Sequence, residues 1–181
     1  MTLEYLLTEV CRWLLFYSLA LGALAKISGF KGFSQNLSDG FGISASLQRP
    51  ITMAIITVEA SIAVALLFLT EYSAWLFGIC LVLFALFSGI LVWALRQERK
   101  ITCHCFGQSD GAISILDVWR NVFLISACLP GLLFPHWSSA QTFISDNAIP
   151  QYLIIALALP CFLVVIYFKD TVNLLRTQSV F

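Results

Sequence analysis

Charge is what this sequence has least of. Its 181 residues hold ten Lys plus Arg and ten Asp plus Glu, 11% in all, whereas soluble chains run near a quarter charged. The even balance leaves no basic field to hold nucleic acid, which excludes that class of partner. Lys and Arg are missing altogether from Met1 to Val10, where Glu4 and Glu9 stand instead. A cleavable signal peptide begins with a positive region, so the first apolar stretch is expected to stay in the membrane. The chain also lacks Pro-rich or Gly/Ser-rich runs, low-complexity tracts and internal repeats. Nothing reads as a linker, and residues 1–181 are expected to form a single transmembrane domain.

What is there is apolar: 60% of residues are hydrophobic, with a mean hydropathy of +0.90. Crossing the hydrocarbon core takes about 20 apolar residues, and the chain offers about five such stretches. The expectation is an all-α membrane protein whose helices run near 5–25, 51–69, 72–95, 113–134 and 149–168. Its first partner is then the lipid bilayer. The third and fifth runs carry no charge at all, whereas Glu59 sits in the middle of the second. Glu9 and Arg12 lie near the start of the first, and Asp117 and Arg120 in the first turns of the fourth. Pro130-Gly131 near the end of that helix is tolerable where neighbours satisfy the freed backbone groups. Ser18 with Gly22, and Ala85 with Gly89, are small residues four apart that would let helices approach closely, though such residues are common in membrane helices anyway.

Loop charges set an expected orientation. Lys26, Lys31 and Arg49 follow the first helix, Arg96, Arg99 and Lys100 follow the third, and Lys169 and Arg176 are in the tail. All eight fall on one side, and none falls in the N-terminus, the Thr70-Glu71 hairpin or Pro135 to Ala148. The N-terminus is expected outside and the C-terminus in the cytoplasm, in a bacterial inner membrane. Trp13, Trp75, Trp137 and Tyr152 then lie near the outer face, and Trp93, Trp119 and Tyr167 near the inner one.

Four of the six cysteines, Cys11, Cys80, Cys128 and Cys161, lie in apolar runs, where Cys packs as a small hydrophobe. Cys103 and Cys105 stand among polar residues, in Cys103-His104-Cys105-Phe106-Gly107. On a regular helix their side chains would project roughly 200° apart, from 3.6 residues per turn. In an extended or turn conformation their Cα atoms come within about 6 Å, where a strained disulfide closes. Strain makes such a bond easily reduced, which suits exchange rather than stapling. Arg99, Lys100 and His104 are near enough in sequence to favour a thiolate. Two other readings stand beside this one. Cys103, His104 and Cys105 offer soft ligands for Cu(I) or Zn²⁺, although adjacent residues do not easily face one ion. Alternatively the segment is a tight loop with incidental cysteines, for a lone Cys-x-Cys is a weak signal.

An ionisable group at the centre of a membrane helix costs about 2.5–3.5 kcal/mol on insertion scales and usually finds a partner. Glu59 lies roughly 12 Å along the second helix at about 1.5 Å per residue, a depth Arg120 shares. Glu59–Arg120 is therefore the expected pair, with Arg12 as the alternative cation. Such a pair suits a structural lock, proton handling or quinone binding equally.

Taken together, these residues resemble the methylamine-utilisation protein E (MauE) family, within a wider group of DoxX-like membrane proteins. The resemblance runs from Arg12 to Asn121. It takes in Ala25-Lys26, Phe33, Phe41-Gly42 and Glu59, and above all Cys-x-Cys-Phe-Gly at 103–107 followed by Arg120-Asn121. His104 stands where Gly is more usual, which keeps the metal reading in view. The resemblance implies a four-helix core plus a C-terminal helix. It also implies an accessory role in maturing the disulfide-rich small subunit of methylamine dehydrogenase, beside a separate thioredoxin-like protein. DoxX-like relatives include a subunit of a thiosulfate:quinone oxidoreductase, so a quinone is the cofactor on that second reading. Maturation of an exported enzyme calls for thiols facing outward, whereas the charge bias puts Cys103 and Cys105 on the cytoplasmic side. The pair then takes reducing equivalents from a cytosolic donor, or lies in a cavity reached from outside. Cys11, Cys80 and Cys128, all toward the outer half, would complete a relay, but their spacing does not require one.

Overall fold

The computed structural model describes residues 3–69, 73–96 and 115–134, together with 154, 156, 158–160, 162 and 163 of the C-terminal segment. Every regular element among them is a helix: α1 (Leu3–Ser28), α2 (Phe30–Phe41), α3 (Ala45–Phe68), α4 (Ser73–Arg96) and α5 (Ile115–Leu133). Four of these, α1, α3, α4 and α5, are long and apolar enough to cross a membrane. The protein is an all-α membrane protein, as its hydropathy requires.

Two local features depart from expectation. Residues 30–41, which read as loop in the sequence, form the 12-residue helix α2. It follows α1 after the single residue Gly29, whose N–H bonds the Ala25 carbonyl at 2.9 Å. It ends at Gly42, whose φ of +67° is a left-handed conformation that glycine adopts without strain. Phe33 and Leu37 lie one turn apart on its inner side, while Lys31 and Gln35 are exposed, the pattern of a helix lying along an interface. The second departure is the start of α3, six residues before the expected Ile51. Pro50 suggests a boundary, but in the second turn it withholds only one backbone donor. The Ser44 carbonyl accepts from Leu47 and Gln48 N–H at 2.9 and 3.2 Å and so starts the helix ahead of it. In the C-terminal segment the described residues are helical, and Ile154, Ala158 and Phe162 are buried at four-residue spacing. Phe162 lies 5.5 Å from the Tyr17 ring, which seats this segment on α1.

Side-chain contacts define how the helices run. The Arg12 Nη1 on α1 donates to the Leu66 carbonyl on α3 at 2.8 Å, while Lys26 reaches Glu59, so α1 and α3 are antiparallel. Phe77 near the start of α4 fills the space beside Gly131 near the end of α5, so these two are antiparallel as well. Only residues 69–72 separate α3 from α4. Leu3, Phe68, Ser73 and Leu133 therefore mark one end of the bundle, and Ser28, Ala45, Arg96 and Ile115 the other, where α2 lies. α4 packs chiefly on α5, and α1 on both α3 and α5.

The core joins Leu15 and Leu19 of α1, Leu66 of α3, Phe77 and Phe84 of α4 and Leu124 of α5. Lipid tails are as apolar as these side chains, so close packing rather than exclusion from water must hold the helices together. Ser18 and Gly22 lie on the buried face of α1, as small contact residues should, whereas Ala85 and Gly89 face outward from α4. Large apolar side chains such as Leu24, Met53, Val82, Leu86 and Phe123 are exposed around the bundle. A water-soluble protein rarely shows so continuous an apolar surface; the bilayer covers it.

Candidate functional site

Polar groups collect inside the α2 end of the bundle. On α1 the buried face reads Thr8, Arg12, Leu15, Leu19, Gly22 and Lys26, alternating steps of four and three. Lys26 thus continues a helical stripe inward although it stands two residues from the end of α1. On α3 the corresponding stripe is Thr52, Ile56, Glu59, Ile62 and Leu66. On α5 it begins with Asp117 and Asn121 before turning apolar at Leu124.

The Lys26 and Glu59 stripes meet at an ion pair. Lys26 Nζ donates to both Glu59 oxygens at 2.8 Å and lies 3.4 Å from the Gly22 carbonyl. The side chains are 3% and 2% exposed. Phe33 of α2 and Phe87 of α4 place their ring centroids 5.7 and 5.8 Å from the same ammonium. Four helices thus converge on one cation, which a carboxylate, a carbonyl and two aromatic faces surround in place of water. Removing either charge strands the other, at a cost of about 3–5 kcal/mol.

This arrangement corrects the expected partner of Glu59. It is Lys26, not Arg120 or Arg12. Depth along the helices is a fair guide, but α3 packs on α1 while α5 packs mainly on α4 and α1. Arg120 instead has its Nη1 3.9 Å from Asp117 Oδ1, one turn away on α5. Arg12 works at the other end of the bundle, donating to Glu9 Oε2 from Nε at 3.1 Å and from Nη2 at 2.6 Å, and to Leu66. By sign and position Lys26 reads as a loop charge, and its positive sign suits the orientation rule. The signal that places it inside is the seven-residue step from Leu19, which continues the buried face of α1 by two turns.

Cys103, His104 and Cys105 lie outside the described residues. Their described flanks, Arg96 and Ile115, stand at the α2 end, the end toward which the Lys26–Glu59 pair and buried Asp117 and Asn121 are gathered. Among the described residues no group of three His, Cys, Asp or Glu is close enough to hold a metal ion.

A family model described as methylamine utilisation protein MauE matches residues 4–134. The chain belongs to the MauE family. The matched stretch takes in the four described membrane-crossing helices from residue 4 on, both members of the Lys26–Glu59 pair and the whole of Cys103 to Gly107. This MauE protein is accordingly a membrane accessory protein of methylamine utilisation. No curated protein and no solved structure matches it.

Proposed function

We propose that this MauE protein supports maturation of methylamine dehydrogenase through thiol–disulfide exchange at Cys103 and Cys105. The observation that carries the reading is the family match, which extends through Cys103-His104-Cys105-Phe106-Gly107 and beyond it to residue 134. With Cys103 and Cys105 on the cytoplasmic side, the exchange requires the enzyme's small subunit to reach the pair from the outside through the bundle. A thiol of that subunit attacks one sulfur of the Cys103–Cys105 disulfide and forms a mixed disulfide. The subunit's second thiol then displaces the pair, which leaves as a dithiol holding two electrons and two protons. A separate thioredoxin-like protein or a quinone takes up those electrons and restores the disulfide.

The membrane is the bacterial inner membrane, with the N-terminus outside and the C-terminus cytoplasmic. Support comes from the eight-to-zero split of loop cations and from the placement of Lys31, Arg49 and Arg96 at the α2 end. Glu59 serves this account as part of a lock. Paired with Lys26, it ties α1 to α3 beneath the flanks of the cysteine segment, and Arg120 with Asp117 stiffens the start of α5.

The test replaces the chromosomal copy by Cys103→Ser/Cys105→Ser. The variant should reach wild-type levels in the membrane, while oxidised small subunit and growth on methylamine are lost. Normal maturation in that strain would overturn the proposal. A redox state of the pair that follows added quinone, with normal methylamine growth, would point instead to a DoxX-like quinone-linked oxidoreductase.

A further inference from the structure

Three cysteines from three helices, none of them in a disulfide, belong to or border one packed cluster toward the end of the bundle opposite α2. The contact of Phe77 with Gly131 fixes the register of α4 against α5. One turn further along α4 is Cys80, and one turn back along α5 is Cys128, so the antiparallel register sets these residues opposite each other. Both are fully buried and belong to one packed cluster. Cys11 of α1 packs against the same cluster and is only partly buried. At about 1.5 Å per residue, Cys11, Cys80 and Cys128 stand about 12, 10 and 8 Å in from that end, so they share a level.

We propose that Cys80 and Cys128 form a reversible disulfide inside the membrane, with Cys11 as the thiol through which it exchanges. The site takes small apolar disulfides. The Cys11 thiol displaces one thiol from the incoming disulfide, and Cys128 displaces the second to give Cys11–Cys128. Cys80 then releases Cys11, leaving Cys80–Cys128. Two protein thiols are oxidised and one incoming disulfide is reduced to two thiols, each leaving sulfur taking the proton of its attacker. Cys11 is the entry because it is the partly exposed one; Cys80 and Cys128 are fully buried, and Cys128 Sγ donates to the Leu124 carbonyl at 3.3 Å. The site stands apart from the exchange proposed at Cys103 and Cys105.

The test uses the full chain carrying Cys103→Ser, Cys105→Ser and Cys161→Ser, so its outcome is independent of the other cysteine pair. The purified protein in mild detergent is treated with 4,4′-dithiodipyridine, remaining thiols are alkylated, and peptides are mapped by mass spectrometry. The expected product joins the Cys80 and Cys128 peptides with the loss of two hydrogens and the release of two thiopyridones per link. Adding Cys11→Ser should slow the link about tenfold without changing the product, as loss of an entry thiol requires. Separate recovery of Cys80 and Cys128, each alkylated or each carrying its own pyridyl group, would overturn the proposal. So would equal linkage in a chain unfolded in dodecyl sulfate, because the register would then play no part.

Discussion

The Lys26 ammonium and the Glu59 carboxylate meet at 2.8 Å through both carboxylate oxygens, across 33 residues of sequence and inside the helix bundle. The pair draws the last turn of α1 onto the middle of α3. Phe33 and Phe87 flank the ammonium and bring α2 and α4 to the same point. Neutral overall, it lets two charges occupy a region where a single one is costly.

Breaking the pair from one side should therefore be worse than removing it. Lys26→Met or Glu59→Gln alone is expected to cost about 3–5 kcal/mol, because the surviving charge stays buried. Lys26→Met/Glu59→Leu should recover most of that loss, read as thermal unfolding of the purified protein in detergent. If the pair is a lock and nothing more, this double variant also retains maturation of methylamine dehydrogenase. A double variant no more stable than its singles would contradict the geometry.

Gly131 makes a second, steric prediction. A Cβ there would run into the Phe77 ring, and overpacking of this kind costs about 1–3 kcal/mol. Gly131→Ala should lower the unfolding temperature, and Phe77→Leu in the same chain should restore part of it. At Gly89 a Cβ would meet nothing within 4 Å, so Gly89→Ala should be neutral.

Length and apolarity make the four crossing helices readable, because the bilayer admits few alternatives to a long helix. Their predicted ends fall within three residues of those observed, apart from the start of α3 behind Pro50. Helix α2 is not legible, since Gly32, Ser34, Gln35, Asn36 and Gly40 break any long apolar run and leave only Phe30, Phe33, Leu37 and Phe41 as large apolar residues. Glu59 is identifiable as a buried charge from its isolation in an apolar stretch. Its partner is not, because depth is shared by several cations and only helix packing chooses among them. Lys26 looks like a loop residue by sign and position, yet its spacing from Leu19 and Gly22 marks it as inward-facing. The placing of Cys80 opposite Cys128 needs the α4–α5 register, which no spacing within one helix contains.

Orientation can be read with single cysteines in a chain otherwise free of them. Leu3 is exposed at one end and Lys31 at the other. In intact spheroplasts Leu3→Cys should react with a membrane-impermeant maleimide, and Lys31→Cys should react only after lysis. The reverse pattern would invert the proposed topology and bring Cys103 and Cys105 to the outer face.

Exchange at Cys103 and Cys105 is visible in the redox state of two sulfurs. A chain whose only cysteines are Cys103 and Cys105, isolated under non-reducing conditions with thiols trapped by maleimide, should take up little label until it is reduced. Reduced small subunit of methylamine dehydrogenase, added before trapping, should convert the pair to a labelled dithiol while the subunit gains a disulfide. Equal labelling before and after reduction, with no response to the subunit, would contradict the account.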